Sequence, residues 1–320
     1  MRVSVVVPAY DAQTTVGAAI SSALWQTYRD LEVVVVDDGS RDATGAIAGA
    51  FGEPVRVVRQ ENAGVAAARN RGIAEARGEL IAFCDADDVW LPRHLDELVA
   101  TYDLHGGGIA TSNCYWLFPS GIHPSRTRYK GGFPKPGRQR LAILQQNFVS
   151  TMSLFPKRLA DELGGFAQGL EVAEDWDFWL RAIYAGARIS LQPRPLALYR
   201  WGSESLSAAL ARMDEHAVVV LRRAAARDDL TAEERAYLDR RLAGPGPAEL
   251  GRAGDEALRA GRYREAAASY RRAASLAPAE PRLVWKARAL RAAPWLTGPL
   301  VRARQLRIES SVGFDEGHVR

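Results

Sequence analysis

Three carboxylates crowd into four residues at Asp85-Ala86-Asp87-Asp88, directly after an apolar run. Like charges this close repel one another, which raises the free energy of the site unless a cation compensates. Hard dications such as Mg²⁺ take oxygen ligands and are often held by one or two carboxylates together with phosphate oxygens. The cluster therefore favours a metal and phosphate site. A helix N-cap is the alternative for Asp88 taken alone.

A second acidic pair, Asp37-Asp38, ends a run of valines and is followed by Gly39 and Ser40. An acidic side chain in such a position commonly accepts hydrogen bonds from a ribose or a base. The alternative is an Asx turn with an N-cap, which Ser40 or Asp42 would serve without help. Two adjacent aspartates exceed that need, so the pair indicates ligand binding.

Two further positions carry charge suited to group transfer. Arg69 lies in a predicted helix near the strand ends, where a guanidinium can contact a diphosphate bidentately, whereas Arg71 is expected on a solvated face. Asp175 follows Glu174 at the start of a Trp-rich helix. A carboxylate there serves as a general base if it faces a cleft, or it only pairs with the helix dipole; the residues alone leave both open.

The elements that position these residues alternate in type over residues 1–90. Continuous apolar strands separated by helices are typical of a parallel sheet that is covered on both faces. Ligands bind such sheets at the carboxyl ends of the strands, where the polar clusters fall. The predicted strands are Val3–Val7, Glu32–Val36, Val55–Val58 and Leu80–Cys84, and the predicted helices are Ala12–Gln26, Asp42–Phe51, Val65–Ala76 and Leu91–Ala100.

The next region is interrupted by glycine and proline over residues 106–140, which predicts one or two strands and a long mobile loop. Regular structure then returns. The predicted helices are Gln139–Gln146 and Glu174–Ala185, and the predicted strands are Val149–Phe155, Arg188–Leu191 and Pro195–Tyr199.

From about residue 208 the chain is rich in Ala, Arg and Leu and is predicted to be helical, with helices at Ala208–Arg227 and Thr231–Arg241. Residues 249–286 fit the spacing of one tetratricopeptide-like helix pair, which must pack on other helices or on a partner. The predicted domains are an α/β domain at 1–207 (halves 1–105 and 106–207), a helical linker at 208–247, a hairpin with a basic segment at 248–307 and a disordered tail at 308–320.

Charge separates these regions. Residues 1–210 carry 21 basic and 23 acidic side chains, a net charge of −2, whereas residues 211–320 carry 21 and 15, a net charge of +6. Residues 281–307 contain seven Lys or Arg and no acid, which indicates contact with an anionic membrane surface or a solvated helical face. No stacking platform or recognition motif accompanies these arginines, so nucleic-acid binding is not expected.

Several site classes are excluded. Cys84 and Cys114 are too few and too far apart for a disulfide framework, and neither belongs to a zinc motif. The histidines show no ligand spacing, and the phosphate-loop and GxSxG patterns are absent. No apolar run reaches the length of a membrane span, and the N-terminus does not fit a signal peptide. We expect a cytoplasmic protein that can also lie peripherally at the inner face of the membrane.

Four ordered stretches resemble family 2 glycosyltransferases with the GT-A fold. They are VSVVVPAYDA (3–12), ISSALWQTYRDLEVVVVDDGSRDAT (20–44), ENAGVAAARNRGIAEARGELIAFCDADDVWLP (61–92) and GGF…EDWDFWLRA (164–182). The resemblance implies an α/β, Rossmann-like domain at 1–207 with a mostly parallel central sheet flanked by helices, plus a C-terminal helical extension. Its first half would bind the nucleotide, and its second half the acceptor.

The resemblance also implies roles for matching residues. Those implied to bind the nucleotide and donor are Pro8, Tyr10, Asp38, Arg69, Asp85, Arg200 and Ser205. Mg²⁺ or Mn²⁺ would be held by ligands drawn from Asp85, Asp87 and Asp88, and Asp175 matches the catalytic base. Trp201 stands where some members present a histidine, so a histidine ligand to the metal is not expected.

The implied reaction transfers a sugar from a nucleotide-diphosphate donor, predicted to be a UDP-sugar, to a saccharide, glycolipid or glycoprotein acceptor in surface polysaccharide biosynthesis. A single displacement would invert the anomeric centre. The C-terminal helices would bind a second copy, another protein or, through 281–307, the membrane. The alternatives are an inactive transferase-like adaptor and a sugar nucleotidyltransferase. The latter is disfavoured because VPAYDAQTT lacks a Gly-rich loop with a basic residue.

Overall fold

The computed structural model describes residues 1–118, 121–130, 132–170, 172–200, 206–290 and 297–303, without the side chains of 123–126 and 206–215. Internal contacts divide the chain into two units, residues 1–143 with 147–206, and residues 144–146 with 207–320. The first unit is an α/β domain built on one mixed sheet, and the described part of the second is helical.

The strands of the first unit are β1 (Val3–Ala9), β2 (Leu31–Asp37), β3 (Val55–Arg59), β4 (Leu80–Phe83), β5 (Val89–Trp90), β6 (Ile109–Phe118), β7 (Gly121–Thr127), β8 (Ser153–Pro156) and β9 (Ile189–Arg200). Its helices are α1 (Val16–Leu24), α2 (Thr44–Gly49), α3 (Val65–Glu75), α4 (His94–Leu104), α5 (Gln139–Gln145), α6 (Lys157–Leu163) and α7 (Glu174–Tyr184), with a short 3₁₀ turn at Pro136–Arg138. The strand order is β3-β2-β1-β4-β8-β6-β9-β5, and β7 pairs with β6.

The predicted parallel half is confirmed. Strands β3, β2, β1 and β4 pair in parallel, and β1 is buried along its whole length. Its residues alternate between the two faces of the sheet. Val5 and Val7 join the large core on one side, while Val6 faces α3 on the other, where a Cβ on Gly72 would lie 2.2 Å from its Cγ1. Both faces are therefore packed, as continuous apolar strands require.

Beyond β4 the sheet becomes mixed, because β8 runs antiparallel to both β4 and β6. The two strands predicted at Arg188–Leu191 and Pro195–Tyr199 are one strand, β9, whose pairing with β6 shifts register between Ser112 and Tyr115. The one or two strands predicted within 106–140 are confirmed as β6 and β7, which pair with each other in antiparallel orientation. The predicted strand Val149–Phe155 is ordered as β8 only from Ser153.

The described part of the second unit contains α8 (Leu206–Ala225), α9 (Ala232–Leu242), α10 (Pro247–Arg259), α11 (Tyr263–Leu276) and α12 (Pro281–Ala289). A capping box between Thr231 and Glu234 starts α9. Helices α10 and α11 pack closely at Gly254, where a Cβ would meet the Tyr270 ring at 2.8 Å. Among the described residues, no helix combines the length and apolar character needed to cross a bilayer.

Candidate active site

A cleft of about 450 Å³ opens in the first unit beside the carboxyl ends of β1 and β4. Five residues singled out in the sequence line it, namely Pro8, Tyr10, Arg69, Asp85 and Asp87. Ligands of parallel sheets bind at this edge because the loops that follow neighbouring strands converge there. The structure therefore brings together residues that are far apart in the chain.

The three aspartates of the acidic cluster have different surroundings. Asp87 is exposed to the cleft, while Asp85 is partly buried. Asp88 is buried, and its Oδ1 accepts a hydrogen bond from the Arg200 backbone N–H at 3.0 Å. Burial, followed by the charges of Asp85 and Asp87, raises the pKa of Asp88 well above its usual range. The cluster thus carries negative charge that the protein only partly compensates.

The acidic cluster fits a divalent cation. The Oδ2 atom of Asp88 is buried and has no hydrogen-bond partner among the described residues, which is costly for a carboxylate oxygen. Among the described side chains, no three or more of His, Cys, Asp or Glu are placed so that together they could hold a metal ion. A dication bound by one or two of these carboxylates, with phosphate and water as its other ligands, matches such a donor set. Asp88 does not cap α4, which begins at His94 with Arg93 as its N-cap.

Arg69 links this cluster to the start of α7. Its guanidinium is buried and pairs with Asp85 Oδ1 at 2.9 Å through Nη2 and with Glu174 Oε1 through Nη1. Burial lowers the pKa of Arg69, but Asp85 and Glu174 outweigh that effect and raise it. Arg69 reaches the cleft as expected, yet both ends of its guanidinium are already engaged by the protein.

Asp38 and Arg200 are predicted donor residues that do not line the cleft, and Asp38 is engaged elsewhere. It is buried, and its Oδ1 accepts hydrogen bonds from Gln60 Nε2 at 2.7 Å and from the Ala63 N–H at 3.0 Å. Its Oδ2 accepts from the Gly64 N–H at 2.9 Å. The carboxylate therefore fixes the loop that leads into α3, the helix that carries Arg69.

Asp175 is the second residue of α7, whose N-cap Ala173 adopts a left-handed conformation with φ of 66°. Its Oδ2 accepts a hydrogen bond from Asn147 Nδ2 at 2.8 Å, and its Oδ1 accepts one from the Trp176 N–H at 2.7 Å. Burial and then the nearby Asp175 charge raise the pKa of Glu174, although Arg69 opposes them. Asp175 therefore directly follows Glu174, whose side chain is linked to Asp85 through Arg69.

Arg200 ends β9 against the acidic cluster, since its Nε also donates to the Asp87 carbonyl at 2.9 Å. Ser205 and Trp201 lie outside the described residues. Tyr199, which was not predicted from the sequence, lines the cleft and stands edge-on to Trp116 with ring centroids 5.3 Å apart. Burial and the charge of Asp88 raise the pKa of Tyr199. Tyr199 ends a predicted strand, which carries no chemical signal of its own.

Residues 4–164, about half of the chain, match the family model described as glycosyl transferase family 2. The chain belongs to this family. It is 33% identical over 229 residues to the succinoglycan biosynthesis protein ExoO of Rhizobium meliloti, which covers 66% of this chain and 64% of ExoO. The chain spans only 37% of the length of two rickettsial relatives.

Solved structures share the fold of this family 2 chain. Staphylococcus aureus TarS 1–349 in complex with UDP-GlcNAc has a TM-score of 0.60 at 20% identity, over 91% of this chain and 90% of that one. The mannosyltransferase PcManGT of Pyrobaculum calidifontis, in complex with GDP-Man and Mn²⁺, has a TM-score of 0.60 at 23% identity, over 94% and 84%. The GT-A fold predicted for this family 2 chain is therefore confirmed.

Proposed function

We propose that this chain is a metal-dependent, inverting glycosyltransferase that uses a nucleotide-diphosphate sugar. The observation that carries the proposal is the cleft at the strand ends, where Asp85 and Asp87 meet Arg69. Through Glu174, the same arginine holds the start of the helix whose second residue is Asp175. A charged donor site and a candidate base therefore belong to one connected cluster.

The donor would lie along the cleft, with its nucleotide near Pro8 and Tyr10 and its diphosphate near the acidic cluster. Asp87 and Asp85 would hold Mg²⁺ or Mn²⁺, with the charge of Asp88 close by. When bound, the dication supplies charge neutralisation for the departing diphosphate. We infer a UDP-sugar as the donor; the solved relatives in complex with UDP-GlcNAc or GDP-Man support the class of molecule.

Asp175 would act as the general base. It takes the proton of the acceptor hydroxyl as that oxygen bonds to the anomeric carbon, while the bond from this carbon to the diphosphate oxygen breaks. The transition state resembles the oxocarbenium ion of glycoside hydrolysis, so the acceptor attacks from the face opposite the leaving group. An α-linked donor therefore gives a β-linked product.

The acceptor is proposed to be a saccharide, glycolipid or glycoprotein of the cell surface. Similarity to a succinoglycan biosynthesis protein supports the saccharide class. An inactive adaptor is disfavoured because Asp38, Asp85, Asp87 and Asp175, the residues that the family resemblance implies, are all present in the sequence. A sugar nucleotidyltransferase is disfavoured because the loop after β1, with sequence YDAQTT, supplies no basic residue.

The C-terminal helices would dock the catalytic domain, proposed as residues 1–207, to a second copy, a protein or an acceptor-bearing membrane. The basic segment 281–307 supports a peripheral membrane contact, and its residues 291–296 and 304–307 lie outside the described residues. Co-sedimentation with anionic liposomes tests this directly. Equal sedimentation of the full chain and of a chain lacking 281–320 would refute the membrane contact.

Asp175→Asn tests the proposed function. It should lower transfer by about 10²–10⁴-fold, the usual contribution of a general base, while donor binding stays nearly intact. The measurements are product formation and calorimetric donor binding over a panel of nucleotide sugars with Mn²⁺. Asp161→Asn, an exposed change on α6, is the matched control. Equal loss of donor binding and transfer in Asp175→Asn would assign Asp175 a structural role instead.

A further inference from the structure

The side-chain amide of Asn147 joins the loop after α5 to the start of α7. Its Nδ2 donates to Asp175 Oδ2 at 2.8 Å, and its Oδ1 accepts from the Val149 N–H at 3.3 Å. A carboxylate can only accept and a backbone N–H can only donate, so these partners fix which way the amide faces. The side-chain NH₂ group of Asn147 therefore acts as a hydrogen-bond donor to Asp175.

The loop that presents Asn147 is itself anchored. Arg128 Nη2 donates to the carbonyl oxygens of Asn147 at 3.4 Å and Val149 at 3.3 Å. The Tyr129 hydroxyl donates to the Phe148 carbonyl at 2.7 Å, and the Ser150 N–H donates to Thr111 Oγ1 on β6 at 3.1 Å. The position of Asn147 is thus set by the sheet and by the residues that follow β7.

Among the residues that the structure describes, the other hydrogen-bond donor to the Asp175 carboxylate lies on its own helix. Its Oδ1 accepts from the adjacent Trp176 N–H, a local contact that leaves the other oxygen undirected. The hydrogen bond from Asn147, 28 residues away, fixes that second oxygen. We propose that Asn147 is a positioning residue that aims the Asp175 carboxylate at the acceptor hydroxyl, a role that rests on the function proposed above.

A neutral donor suits this role. Lys or Arg in the same place would pair with the carboxylate and weaken it as a proton acceptor, whereas an amide orients it without neutralising its charge. The nearby cation, Arg69, is already bound to Asp85 and Glu174. Because a small misplacement of a reacting group is costly, the loss of one orienting bond should appear in kcat rather than in donor affinity.

Two variants test the role. Asn147→Ala removes the donor and should lower kcat by about 10- to 100-fold, with the KM for the donor unchanged. Asn147→Asp keeps the size of the side chain and its acceptor for Val149, but it replaces the donor with a second carboxylate, so its kcat should fall at least as far. Gln146→Ala, at an exposed amide in the same loop, is the control. Full kcat in Asn147→Asp, or a rise in KM with kcat unchanged, would overturn the proposal.

A second measurement separates this proposal from the proposed function. Urea unfolding of Asn147→Ala, Asp175→Ala and the double variant reports the coupling between the two side chains without any turnover. The double variant should be less destabilised than the sum of the single variants, and strict additivity would refute the contact. If the two side chains are coupled but Asn147→Ala leaves kcat unchanged, the positioning role of Asn147 is refuted and the proposed function is not. A wild-type chain that transfers no sugar from any donor refutes the proposed function, and the role of Asn147 with it, even if coupling persists.

Discussion

Arg69 on α3 and Glu174 at the start of α7 form a buried ion pair across 105 positions of the chain. The guanidinium also holds Asp85 and lies beside the rings of Phe83 and Phe166, at 5.5 and 5.6 Å from their centroids. One cation thus neutralises carboxylates from the acidic cluster and from the helix of the proposed base. If α7 moved away, it would leave charges buried without partners.

Arg69→Met should destabilise the protein by about 3–5 kcal/mol, because it leaves Glu174 and Asp85 without their shared cation. Arg71→Met is the matched control on the same helix, since Arg71 is half exposed and pairs with Glu75 one turn away. That change should cost about 0–1 kcal/mol. Urea unfolding measures both, and equal losses would mean that the buried pair contributes no more than a surface pair.

Removal of divalent metal should abolish the stabilisation of the protein by UDP. A ligand that binds the folded state alone raises the melting temperature by mass action, and diphosphate needs a cation to approach this acidic cluster. Excess chelator should remove the UDP-dependent shift, and Mn²⁺ should restore it. Asp87→Asn should weaken the restored shift, while Asp103→Asn, at an exposed position on α4, should not. A full shift in excess chelator would contradict the metal role.

The contribution of His94 to stability should fall as the pH drops below about 6.5, because His94 is buried in its neutral form. Burial lowers the pKa of His94 to about 3, and its ring lies 4.4 Å from that of Trp90. A depressed pKa in the folded state gives stability that is present above the unfolded value and is lost as the pH falls toward the folded value. The loss should approach about 1.4 kcal/mol per pH unit below pH 6.

Urea unfolding between pH 7 and pH 5 measures this slope. His94→Gln should flatten it even if the variant is less stable at every pH, whereas His105→Gln, at an exposed position, should leave it unchanged. Glu32, whose pKa is lowered mainly by its Ser4 hydrogen bond against the opposing effect of burial, acts in the same direction only below its ordinary value of 4.5. An unchanged slope in His94→Gln would refute the role of His94.

Gly72→Ala should destabilise the protein by about 1–3 kcal/mol, since its Cβ would lie 2.2 Å from Val6 Cγ1 in the packed interface of α3 with β1. Gly49→Ala makes the same change at the end of α2, where nothing lies within 4 Å of the new Cβ. That variant should gain about 0.5–1 kcal/mol from helix propensity. Thermal unfolding of both separates packing from propensity, and a Gly72→Ala variant as stable as the wild type would contradict the close approach.

Much of the nucleotide-binding half follows from local patterns. Runs of valine predict β1, β2 and β3 within a few residues, because a strand buried on both faces has no polar positions to alternate. The residues at which the helices begin were harder to predict. The helix predicted from Ala12 begins at Val16, and the Ala12 and Gln13 N–H groups before it donate to Thr44 Oγ1 and Asp42 Oδ2.

The acceptor half was harder to predict. Residues 109–127 contain one glycine and two prolines, so their pattern predicts one or two strands but not their bounds or partners, and the structure shows two paired strands. The proline-containing β9 persists through two register shifts rather than breaking. Pairing with a neighbouring strand supplies hydrogen bonds that local propensity does not report, and tertiary context therefore overrides it.

The sequence by itself determined the family, the strand ends that carry charged residues and the identity of the acidic cluster, because each depends on residues that are contiguous in the chain. Only the tertiary structure decided what those residues touch. In it, Arg69 pairs with two carboxylates, Asp38 accepts hydrogen bonds from the loop that leads into α3, and Asn147 donates to Asp175. The physical reason is that these hydrogen bonds join residues 16 to 105 positions apart, and packing of the whole sheet and its helices sets such distances.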